Sequence, residues 1–442
     1  MAALKDQHFH LVNLGCAKNL VEGEHLAGLL MAAGWQPEPD PAAARLLIVN
    51  TCGFIEPAVN EALDAALELA LTKQPGQTLA VVGCLVGRYG KKLASSLPEV
   101  DIFISPGELN RLLEHISSPP AGRLAIGPAQ GIFGAQHPRA LSTGPGWAYL
   151  RVADGCPHHC AFCTIPAIRG RLRSRPLDDV VAEAQRLAAA GVRELNLVAQ
   201  DLTCYGQDRG GPDLAALLAA LSAVEGVAWL RALYLHPDYL DQRLIQVMAA
   251  APTVLPYFDL PLQHIADPVL QAMRRRRSGA ALRALIAQVR ALAPGAVLRT
   301  TLLVGHPGEG PDEFAELVEF VRETRLDHLG VFAFSPEPGT RSARLPAPPP
   351  GLAQERREEI MALQQSISRE KLAGLVGREL PLLVLGPHPE SELLWWGRLE
   401  RQAPEVDGQV IITEGSAAPG SVATCRITAA HDYDLEAALQ PA

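Results

Sequence analysis

The sequence predicts an α/β multidomain protein with a parallel α/β amino-terminal domain, an open (β/α)6 partial TIM barrel and a small antiparallel carboxy-terminal β-barrel. Short apolar, β-branched runs alternate with helical patterns as far as residue 370, which is typical of parallel βαβ units. The remaining residues lose the helical period and show short strands separated by Gly, Pro and acidic turns. The length of 442 residues is consistent with about three domains.

Composition and charge exclude several classes of protein. With 48% hydrophobic residues the chain is not disordered over most of its length. Lys and Arg number 39 and Asp and Glu 48, and this net charge of −9 argues against coating nucleic acid or an anionic membrane. Because no apolar run is long enough for a signal peptide or a membrane span, we expect a cytoplasmic protein. Its eight cysteines are then ligands, catalysts or buried thiols rather than disulfides.

The first domain is predicted over residues 6–135. Its four parallel strands are expected at residues 8–14, 45–51, 78–83 and 101–104. Helical patterns lie between them at residues 18–33, 57–71 and 86–97. Residues 117–146 are rich in Pro, Gly, Ser and Ala and indicate a linker.

The second domain is predicted over residues 142–370 and the third over residues 371–442. Six strand-then-helix units form the second, with strands at residues 148–153, 194–199, 229–235, 257–262, 298–304 and 328–334. Six sequential units close only part of a barrel, so it stays open. A charged helix at residues 354–374 ends this domain. The third domain is predicted from strands at residues 380–385, 393–399, 409–413 and 421–428.

Three cysteines follow the first strand of the second domain directly. Cys156, Cys160 and Cys163 form the pattern C-x3-C-x2-C within Cys-Pro-His-His-Cys-Ala-Phe-Cys. Three thiolates so close together can hold three irons of a four-iron cluster and leave the fourth iron open. The alternatives are a zinc site with His158 or His159 as fourth ligand, or three unrelated buried thiols.

Three further cysteines are dispersed through the first domain. Cys16, Cys52 and Cys84 each come just after a different predicted strand. Because the ends of neighbouring parallel strands share one edge of the sheet, we expect these cysteines to converge in space. Three buried small hydrophobic residues would be the alternative, but those belong within strands rather than just past them. A second cluster with an open iron is therefore expected here.

The C-x3-C-x2-C motif after the first barrel strand resembles the radical S-adenosylmethionine superfamily. The resemblance implies that S-adenosylmethionine chelates the open iron and is reduced to a 5′-deoxyadenosyl radical. It also implies that Phe162, Gln200, Asp201, Gly305 and Glu309 line the cofactor pocket. For the residues after the strands, the alternative is a turn glycine or a capping polar side chain.

The sequence around the dispersed cysteines resembles the amino-terminal domain of the methylthiotransferase family. The matching segments are Leu-Gly-Cys-Ala-Lys-Asn at residues 14–19, Asn-Thr-Cys-Gly-Phe-Ile at 50–55 and Val-Gly-Cys at 82–84. The three predicted domains also match that family's order, which ends in a TRAM-type barrel that binds substrate. The resemblance implies two 4Fe-4S clusters. The cluster on Cys156, Cys160 and Cys163 would make the radical, and the cluster on Cys16, Cys52 and Cys84 would carry the sulfur. A second S-adenosylmethionine would supply the methyl group.

Local motifs favour the branch of this family that modifies an aspartate β-carbon of a small-subunit ribosomal protein, protein twelve. They are Leu-Gly-Cys-Ala-Lys-Asn-Leu-Val at residues 14–21, Asp-Leu-Pro-Leu-Gln-His at 259–264, Gly-His-Pro-Gly-Glu at 305–309 and Asp-Tyr-Asp-Leu at 432–435. Residues 371–442 carry five basic and ten acidic residues, which suits a basic protein better than phosphates. The alternatives are methylthiolation of an adenosine in transfer RNA and, more remotely, a non-catalytic zinc or RNA-binding protein.

The chain also contains two sets of closely spaced arginines. The first set is Arg169, Arg171, Arg173 and Arg175. If this segment is extended, the four arginines share one face and could bind an acidic substrate, a phosphate or the cofactor carboxylate. The alternative is a solvated face. The run 274–277 is expected to end a helix, where positive charge is favourable against the helix dipole. Cys204 is expected to be a fortuitous thiol and Cys425 a core residue.

The expected partners are the ribosomal protein or its subunit and an electron donor such as flavodoxin or ferredoxin. No membrane association is expected, and the chain is expected to be a monomer.

Overall fold

A computed structural model of the chain describes residues 7–127 and 132–440, without the side chain of residue 392. The first and last residues of the predicted domains, 6 and 442, lie outside this range. The chain divides into two compact units. One contains the chain up to Ser142 together with Ala153–His159 and Cys163–Val180, and the other contains Thr143–Val152, Cys160–Phe162 and Val181–Ala442.

The first unit is built on a parallel six-stranded sheet in the order β2-β1-β3-β4-β5-β6. Its strands are β1 (His8–Asn13), β2 (Gln36–Pro37), β3 (Leu46–Thr51), β4 (Thr78–Gly83), β5 (Ile102–Ile104) and β6 (Leu124–Ala125). Its helices are α1 (Ala17–Ala32), α2 (Glu56–Thr72), α3 (Cys84–Ser96) and α4 (Leu112–Ser117). The predicted parallel α/β domain is confirmed.

Helices cover both faces of this sheet. Alternate residues of β3 point to opposite faces, and every residue of this strand is buried. On one face α2 and α3 contribute Leu69 and Leu85 to the core, and on the other α1 and α4 contribute Leu26 and Leu112. A strand buried on both sides is a near-continuous apolar run, which is why the sequence located β3 well.

The predicted linker packs against the first unit over much of its length. Arg139 forms a buried ion pair with Glu24 of α1 at 2.6 Å. Phe133 stacks on His25, with ring centroids 4.8 Å apart. These contacts and strand β6 show that the described part of residues 117–142 is ordered against α1 and the sheet edge, not a free linker.

The second unit begins with six parallel strands arranged in chain order. They are β7 (Trp147–Arg151), β10 (Glu194–Val198), β11 (Trp229–Ala232), β12 (Tyr257–Gln263), β13 (Val297–Val304) and β14 (His328–Ala333). Two three-stranded sheets, β7-β10-β11 and β12-β13-β14, are bridged where Leu230 exchanges hydrogen bonds with residues 253 and 255. Among the described residues β14 and β7 do not pair, so the barrel is open as predicted.

Helices connect these strands and close the repeat. They are α6 (Leu177–Ala189), α7 (Leu214–Ser222), α8 (Gln242–Ala250), α9 (Asp267–Ala272), α10 (Gly279–Leu292), α11 (Pro311–Thr324) and α12 (Leu352–Ala373). Between β7 and α6, the chain of the first unit forms the two-stranded pair β8 (Ala153–Asp154) and β9 (Arg173–Ser174) and the short helix α5 (Ile165–Arg169). In the part of the chain that the structure describes, no helix is long and apolar enough to cross a membrane.

The carboxy-terminal segment forms a closed barrel in the order β15-β16-β17-β19-β18. Its strands are β15 (Glu379–His388), β16 (Ser391–Leu399), β17 (Val410–Glu414), β18 (Val422–Ala430) and β19 (Leu435–Leu439). The sequence predicted the first four strands and an antiparallel barrel; the pairings are antiparallel except that of β17 with β19, which is parallel. Cys425 is fully buried in the barrel core beside Leu382, Val384 and Ile427, which confirms its expected place.

Buried ion pairs attach this closed barrel to the amino ends of the open-barrel strands. Glu194 at the start of β10 pairs with Arg398 at 2.5 Å and with Arg231 at 3.0 Å. Asp407 accepts hydrogen bonds from Tyr257 at 2.6 Å and from Arg299 at 2.8 Å. Burial opposes ionisation of Glu194, but the two arginines outweigh it and lower its pKa. Within the second unit, the closed barrel therefore lies at the end opposite to the carboxyl ends of the strands.

Candidate functional site

The three dispersed cysteines lie at one edge of the first unit's sheet. Cys16 separates β1 from α1, Cys52 follows β3, and Cys84 is the first residue of α3 after β4. Because β1 pairs with β3 and β3 with β4, all in parallel, the three strand ends are neighbours. The strand order reverses between β1 and β3, which is the place where open α/β sheets bind ligands. The structure thus brings Cys16, Cys52 and Cys84 together, as the sequence predicted.

Asn19, in the first turn of α1, ties these strand ends to one another. Its amide nitrogen donates to the carbonyl of Leu14, 3.1 Å away, and to the carbonyl of Thr51, 3.0 Å away. Its carbonyl oxygen faces Cys84 Sγ at 3.7 Å. Asn50 strengthens the same edge, donating to Asn13 Oδ1 at 2.6 Å. The sequence motif contained Asn19 and Asn50, but their buried linking role is visible only in the fold.

Two glycines allow the cysteines to approach. A Cβ on Gly15 would lie 2.8 Å from the Cβ of Cys52, and the φ of Gly15 is +96°. A Cβ on Gly53 would lie 2.9 Å from the backbone of Leu85, next to Cys84. Since these distances leave no space for a side chain, glycine is required at both positions.

Arg169 places a buried guanidinium at the same cysteines. It ends helix α5, is 2% exposed, and donates to Cys84 Sγ from Nη2 at 2.9 Å and from Nε at 3.2 Å. The remaining donors bind both carboxylate oxygens of Glu22 and the Asn19 carbonyl, the latter at 2.9 Å. The sequence identified Arg169 but placed it on a shared arginine face, and that interpretation is wrong. Arg173 pairs with Asp154 and Arg175 with Asp179, whereas Arg171 is exposed.

The thiols of this group differ in acidity. Desolvation opposes ionisation of Cys16, but Lys18, the N–H of Asn19 and Arg169 outweigh it and lower the pKa of this thiol. Burial raises the pKa of Cys84 to about 12 although Arg169 opposes the shift, and burial also raises the pKa of Cys52. The negative charges of Cys16 and Cys52 each raise the pKa of Cys84 further, so the three thiols interact.

This donor set fits a group that carries positive charge of its own. Three thiols that disfavour one another's ionisation are the ligands that iron or zinc binds as thiolates. Polar groups near these thiols include the Asn19 amide, backbone N–H groups, Lys18, Arg169 and Glu22. Cys16, Cys52 and Cys84 are therefore suited to hold an iron–sulfur cluster that keeps one iron without a protein ligand.

The cysteines of the second motif lie in a loop of eight residues from Cys156 to Cys163, and all three thiols are partly exposed. In the first unit, the Cys156 N–H donates to the Gly170 carbonyl at 3.2 Å. Cys163 Sγ accepts from the N–H of Ile165 at 3.4 Å. A backbone hydrogen bond to a thiolate sulfur stabilises it as a metal ligand, so Cys163 is suited to bind iron.

Cys160, in the second unit, has an arginine near its sulfur. Arg275 Nη1 lies 3.7 Å from Cys160 Sγ and 2.6 Å from His236 Nε2, and its Nη2 donates to the Pro261 carbonyl at 2.6 Å. The prediction that the run 274–277 ends a helix is wrong, because α9 ends at Ala272 and the run follows it. No sequence pattern indicates that one of these arginines lies near a cysteine.

Phe162, between the last two cysteines of the motif, is half-buried in the second unit. It packs on a cluster that includes Val269 and Met273 and meets the ring of His306 edge-on, with centroids 6.5 Å apart. The backbone of Ala161 donates to Met273 and accepts from Ser342. These contacts hold the predicted aromatic side chain beside the turn that follows β13.

Predicted cofactor-contacting residues follow the carboxyl ends of two strands in this unit. Gln200 and Asp201 come directly after β10, and Gly305 and Glu309 belong to the turn after β13. The Asp201 carboxylate accepts from the Thr203 N–H at 2.9 Å and from Cys204 Sγ at 3.0 Å. Cys204 is fully buried. Carboxyl ends of barrel strands are where such barrels place their functional groups.

Glu309 shapes its own turn. Its Oε2 accepts from the Gly305 N–H at 2.9 Å, and its Oε1 accepts from Arg356 at 2.6 Å. Burial opposes ionisation of Glu309, but His264, the Gly305 N–H and Arg356 outweigh it and lower its pKa. His306 bonds Ser342 at 2.7 Å, and burial lowers the pKa of this histidine to about 4. The turn is thus fixed by charges within the second unit.

Comparison with known proteins shows which family this chain belongs to. Residues 8–105 match the uncharacterized protein family UPF0004, residues 150–321 the radical SAM superfamily, and residues 376–439 the TRAM domain. The ribosomal protein uS12 methylthiotransferase RimO of Syntrophobacter fumaroxidans is 48% identical over 97% of this chain and 98% of its own length. The RimO of Anaeromyxobacter sp. (strain Fw109-5) is 47% identical over 96% and 92%. This chain belongs to the RimO family of radical SAM methylthiotransferases. It is therefore an enzyme, and the transfer-RNA alternative is not favoured.

Solved structures agree with the fold. The radical S-adenosylmethionine methyltransferase TsrM from Kitasatospora setae superimposes with a TM-score of 0.56 at 16% identity, covering 74% of this chain and 72% of its own. The cobalamin-dependent radical enzyme OxsB gives a TM-score of 0.51 at 13% identity, covering 83% and 56%. Both likenesses concern the fold. The RimO family uses S-adenosylmethionine and iron–sulfur chemistry.

Proposed function

We propose that this enzyme attaches a methylthio group to the β-carbon of an aspartate of ribosomal protein uS12, using two 4Fe-4S clusters. The observation that carries the proposal is the convergence of Cys16, Cys52 and Cys84 at one sheet edge, in a chain that also contains the C-x3-C-x2-C motif. The names of the RimO relatives support uS12 as the substrate.

Each cysteine triad would hold one cluster. When bound, the group on Cys156, Cys160 and Cys163 supplies with S-adenosylmethionine the radical that removes hydrogen from an unactivated carbon, and the group on Cys16, Cys52 and Cys84 supplies the sulfur. The chain's own residues position these groups and exclude water. Asn19 holds the strand ends that carry the first triad, and Glu309 fixes the turn after β13.

Phe162, Gln200, Asp201, Gly305 and Glu309 are proposed to line the S-adenosylmethionine pocket of the second unit. Phe162 offers an apolar ring. Gly305 has a φ of +73°, and a Cβ at this position would lie 2.3 Å from the Cβ of Ala353, so the turn requires glycine. Since Asp201 and Glu309 are bonded within their own turns, we expect them to shape the pocket more than to bind the cofactor directly.

Charge supports a basic protein substrate. Residues 371–442 carry five basic and ten acidic residues. Asp407 is buried and Asp432 pairs with Arg369, but Glu390 and Glu414 are exposed. Such a surface repels phosphates and attracts a basic ribosomal protein. Acting on that substrate, the enzyme is expected in the cytoplasm with an electron donor such as flavodoxin or ferredoxin.

The test compares uS12 from cells that have the gene, lack it, or carry the Cys156→Ala variant. We expect the mass of intact uS12 to show one added methylthio group only with the unaltered gene. Tandem mass spectrometry locates the group on an aspartate. An unchanged uS12 mass together with altered transfer-RNA nucleosides would reject the proposal in favour of transfer-RNA methylthiolation.

A further inference from the structure

We propose that Arg169 is a positioning residue of the amino-terminal iron–sulfur centre, where its buried guanidinium binds Cys84 and sets the reduction potential of the cluster. The inference rests on the proposed function, because it assumes that Cys16, Cys52 and Cys84 hold a cluster. Nothing in the sequence motif predicts this role, since Arg169 lies 85 residues from Cys84 along the chain.

Geometry gives Arg169 a single orientation. Two of its donors point at one sulfur, Nη2 at 2.9 Å and Nε at 3.2 Å. Glu22 binds the adjacent edge of the guanidinium, where its two carboxylate oxygens accept from Nη1 and Nη2, and Asp154 lies 3.9 Å from Nη1. A planar fork held on both edges cannot turn away from the sulfur without breaking a buried ion pair.

Burial makes this charge effective. Arg169 and Glu22 are each 2% exposed, so water screens their field weakly. Arginine remains protonated under all ordinary conditions, and its positive charge is therefore permanent. Hydrogen bonds to ligand sulfurs and nearby net charge are two of the factors that set cluster potentials. A cation bonded to Cys84 Sγ stabilises the more negative, reduced cluster and raises its potential.

A purely structural ion pair is the competing explanation, because Glu22 and Arg169 also join α1 to α5. The two explanations differ in what they predict for a chain in which both charges are removed. If the pair only joins helices, an uncharged Glu22→Gln, Arg169→Gln chain that folds would keep the cluster potential. If Arg169 acts on the sulfur, the potential shifts even though the fold is restored.

The experiment uses the full-length chain with Cys156, Cys160 and Cys163 all changed to Ala, so that only the amino-terminal triad can bind a cluster. Into this chain we introduce Arg169→Gln, Arg169→Lys and the Glu22→Gln, Arg169→Gln pair. Arg175→Gln is the matched control, because Arg175 is a buried arginine of the same segment that pairs with Asp179. After anaerobic reconstitution we measure iron content, thermal unfolding and the midpoint potential by electron paramagnetic resonance.

Arg169→Gln is expected to disfavour reduction about tenfold, which is about 59 mV for a one-electron couple. The double variant also removes the negative charge of Glu22, which opposes Arg169 at Cys84, so its shift is expected to be smaller and in the same direction. The lysine variant keeps the charge but loses the forked hydrogen bonds, so its shift is expected to be smaller and in the same direction. If a glutamine variant binds no iron, the midpoint potential of the Arg169→Lys variant is measured instead. Arg175→Gln is expected to keep the starting potential.

Two results would overturn the inference and are distinguishable. If the Arg169 variants that bind iron have the same potential as Arg175→Gln, the cluster assignment stands and the role of Arg169 is wrong. If the starting chain with an intact amino-terminal triad binds no iron, the proposed function fails and the inference fails with it.

Discussion

The two cysteine triads are assembled in opposite ways. Cys156, Cys160 and Cys163 lie within eight consecutive residues, so the local chain keeps them close. Cys16, Cys52 and Cys84 lie on three strand ends separated by more than thirty residues each, and only the folded sheet brings them together. The first kind of site depends on a loop and the second on a domain core. Damage to packing should therefore affect the two sites unequally.

The surroundings of the triads differ in the same sense. The dispersed triad is supported by buried groups, among them Asn19, Asn50 and Arg169. Exposure of the cysteines does not separate the triads, because Cys16 is exposed and Cys52 is partly exposed, as are the three loop cysteines. At the loop triad, Arg275 lies near Cys160 at the longer distance of 3.7 Å. A site built from distant strands needs many fixed neighbours, whereas a short loop needs few.

Loss of a single ligand should separate the two triads most clearly. Cys156→Ala is expected to abolish cleavage of S-adenosylmethionine, because the loop triad would hold the cluster that reduces it. Cys16→Ala is expected to spare cleavage and block formation of the methylthio product. Chromatography of 5′-deoxyadenosine and the mass of a uS12 substrate measure the two outcomes. If both variants lose cleavage, the division of labour between the triads is wrong.

Removal of Asn19 should weaken the dispersed triad alone. Asn19→Ala leaves the buried carbonyls of Leu14 and Thr51 without this donor, at a cost of about 1–3 kcal/mol. We expect lower iron content in a chain that retains only the dispersed triad and unchanged iron content in a chain that retains only the loop triad. Asn60→Ala, on the exposed side of α2, is the control. Equal iron loss in both chains would show that Asn19 does not support the dispersed triad alone.

A methyl group at Gly53 should have a smaller effect of the same kind. In Gly53→Ala the new Cβ meets the backbone beside Cys84 at about 3 Å, and the strain is expected to cost about 1–3 kcal/mol. A chelator should remove iron from the dispersed triad faster, and the loss of visible absorbance measures this rate. Gly374→Ala, which meets no atom closer than 3.4 Å, should release iron at the original rate. Identical rates for the two variants would mean that Gly53 does not hold the cysteines together.

The smallest expected effect is a difference in alkylation within the dispersed triad of the iron-free chain. The pKa of Cys16 is lowered, so its thiolate is present at a lower pH than for an ordinary cysteine, and the pKa of Cys84 is about 12. From about pH 6 to 10, the rate for Cys16 should level off while that for Cys84 continues to rise. Peptide mass spectrometry with iodoacetamide measures both rates. Parallel pH profiles would show that Lys18 beside Cys16 and the burial of Cys84 do not distinguish the two thiols.

Sequence patterns predicted the elements that carry the cysteines because these elements are locally determined. Strands β3 and β4 are apolar, β-branched runs that end just before Cys52 and Cys84. Strand β19 was missed because Leu-Glu-Ala-Ala-Leu favours a helix by composition. Its pairing with β17 and β18, which closes the barrel, overrides that preference.

The partners of the arginines could not be predicted for a related reason. Spacing placed Arg169, Arg171, Arg173 and Arg175 on one face of an extended segment, but α5 ends at Arg169 and turns its side chain towards α1. The contact with Cys84 connects residues from distant parts of the chain, and no local pattern records it. The convergence of the dispersed cysteines could be predicted from the sequence, whereas the buried charges around them could not.

Glu194 makes the carboxy-terminal barrel difficult to exchange between relatives. This carboxylate is fully buried in the open barrel and pairs with Arg231 of its own domain and Arg398 of the closed barrel. A transplanted barrel without a basic residue at the position of Arg398 would leave one charge partly uncompensated, at a cost of about 3–5 kcal/mol. Successful chimaeras should therefore be those in which residues 194 and 398 are inherited together. A salt bridge inside one molecule thus limits how this family can recombine its parts.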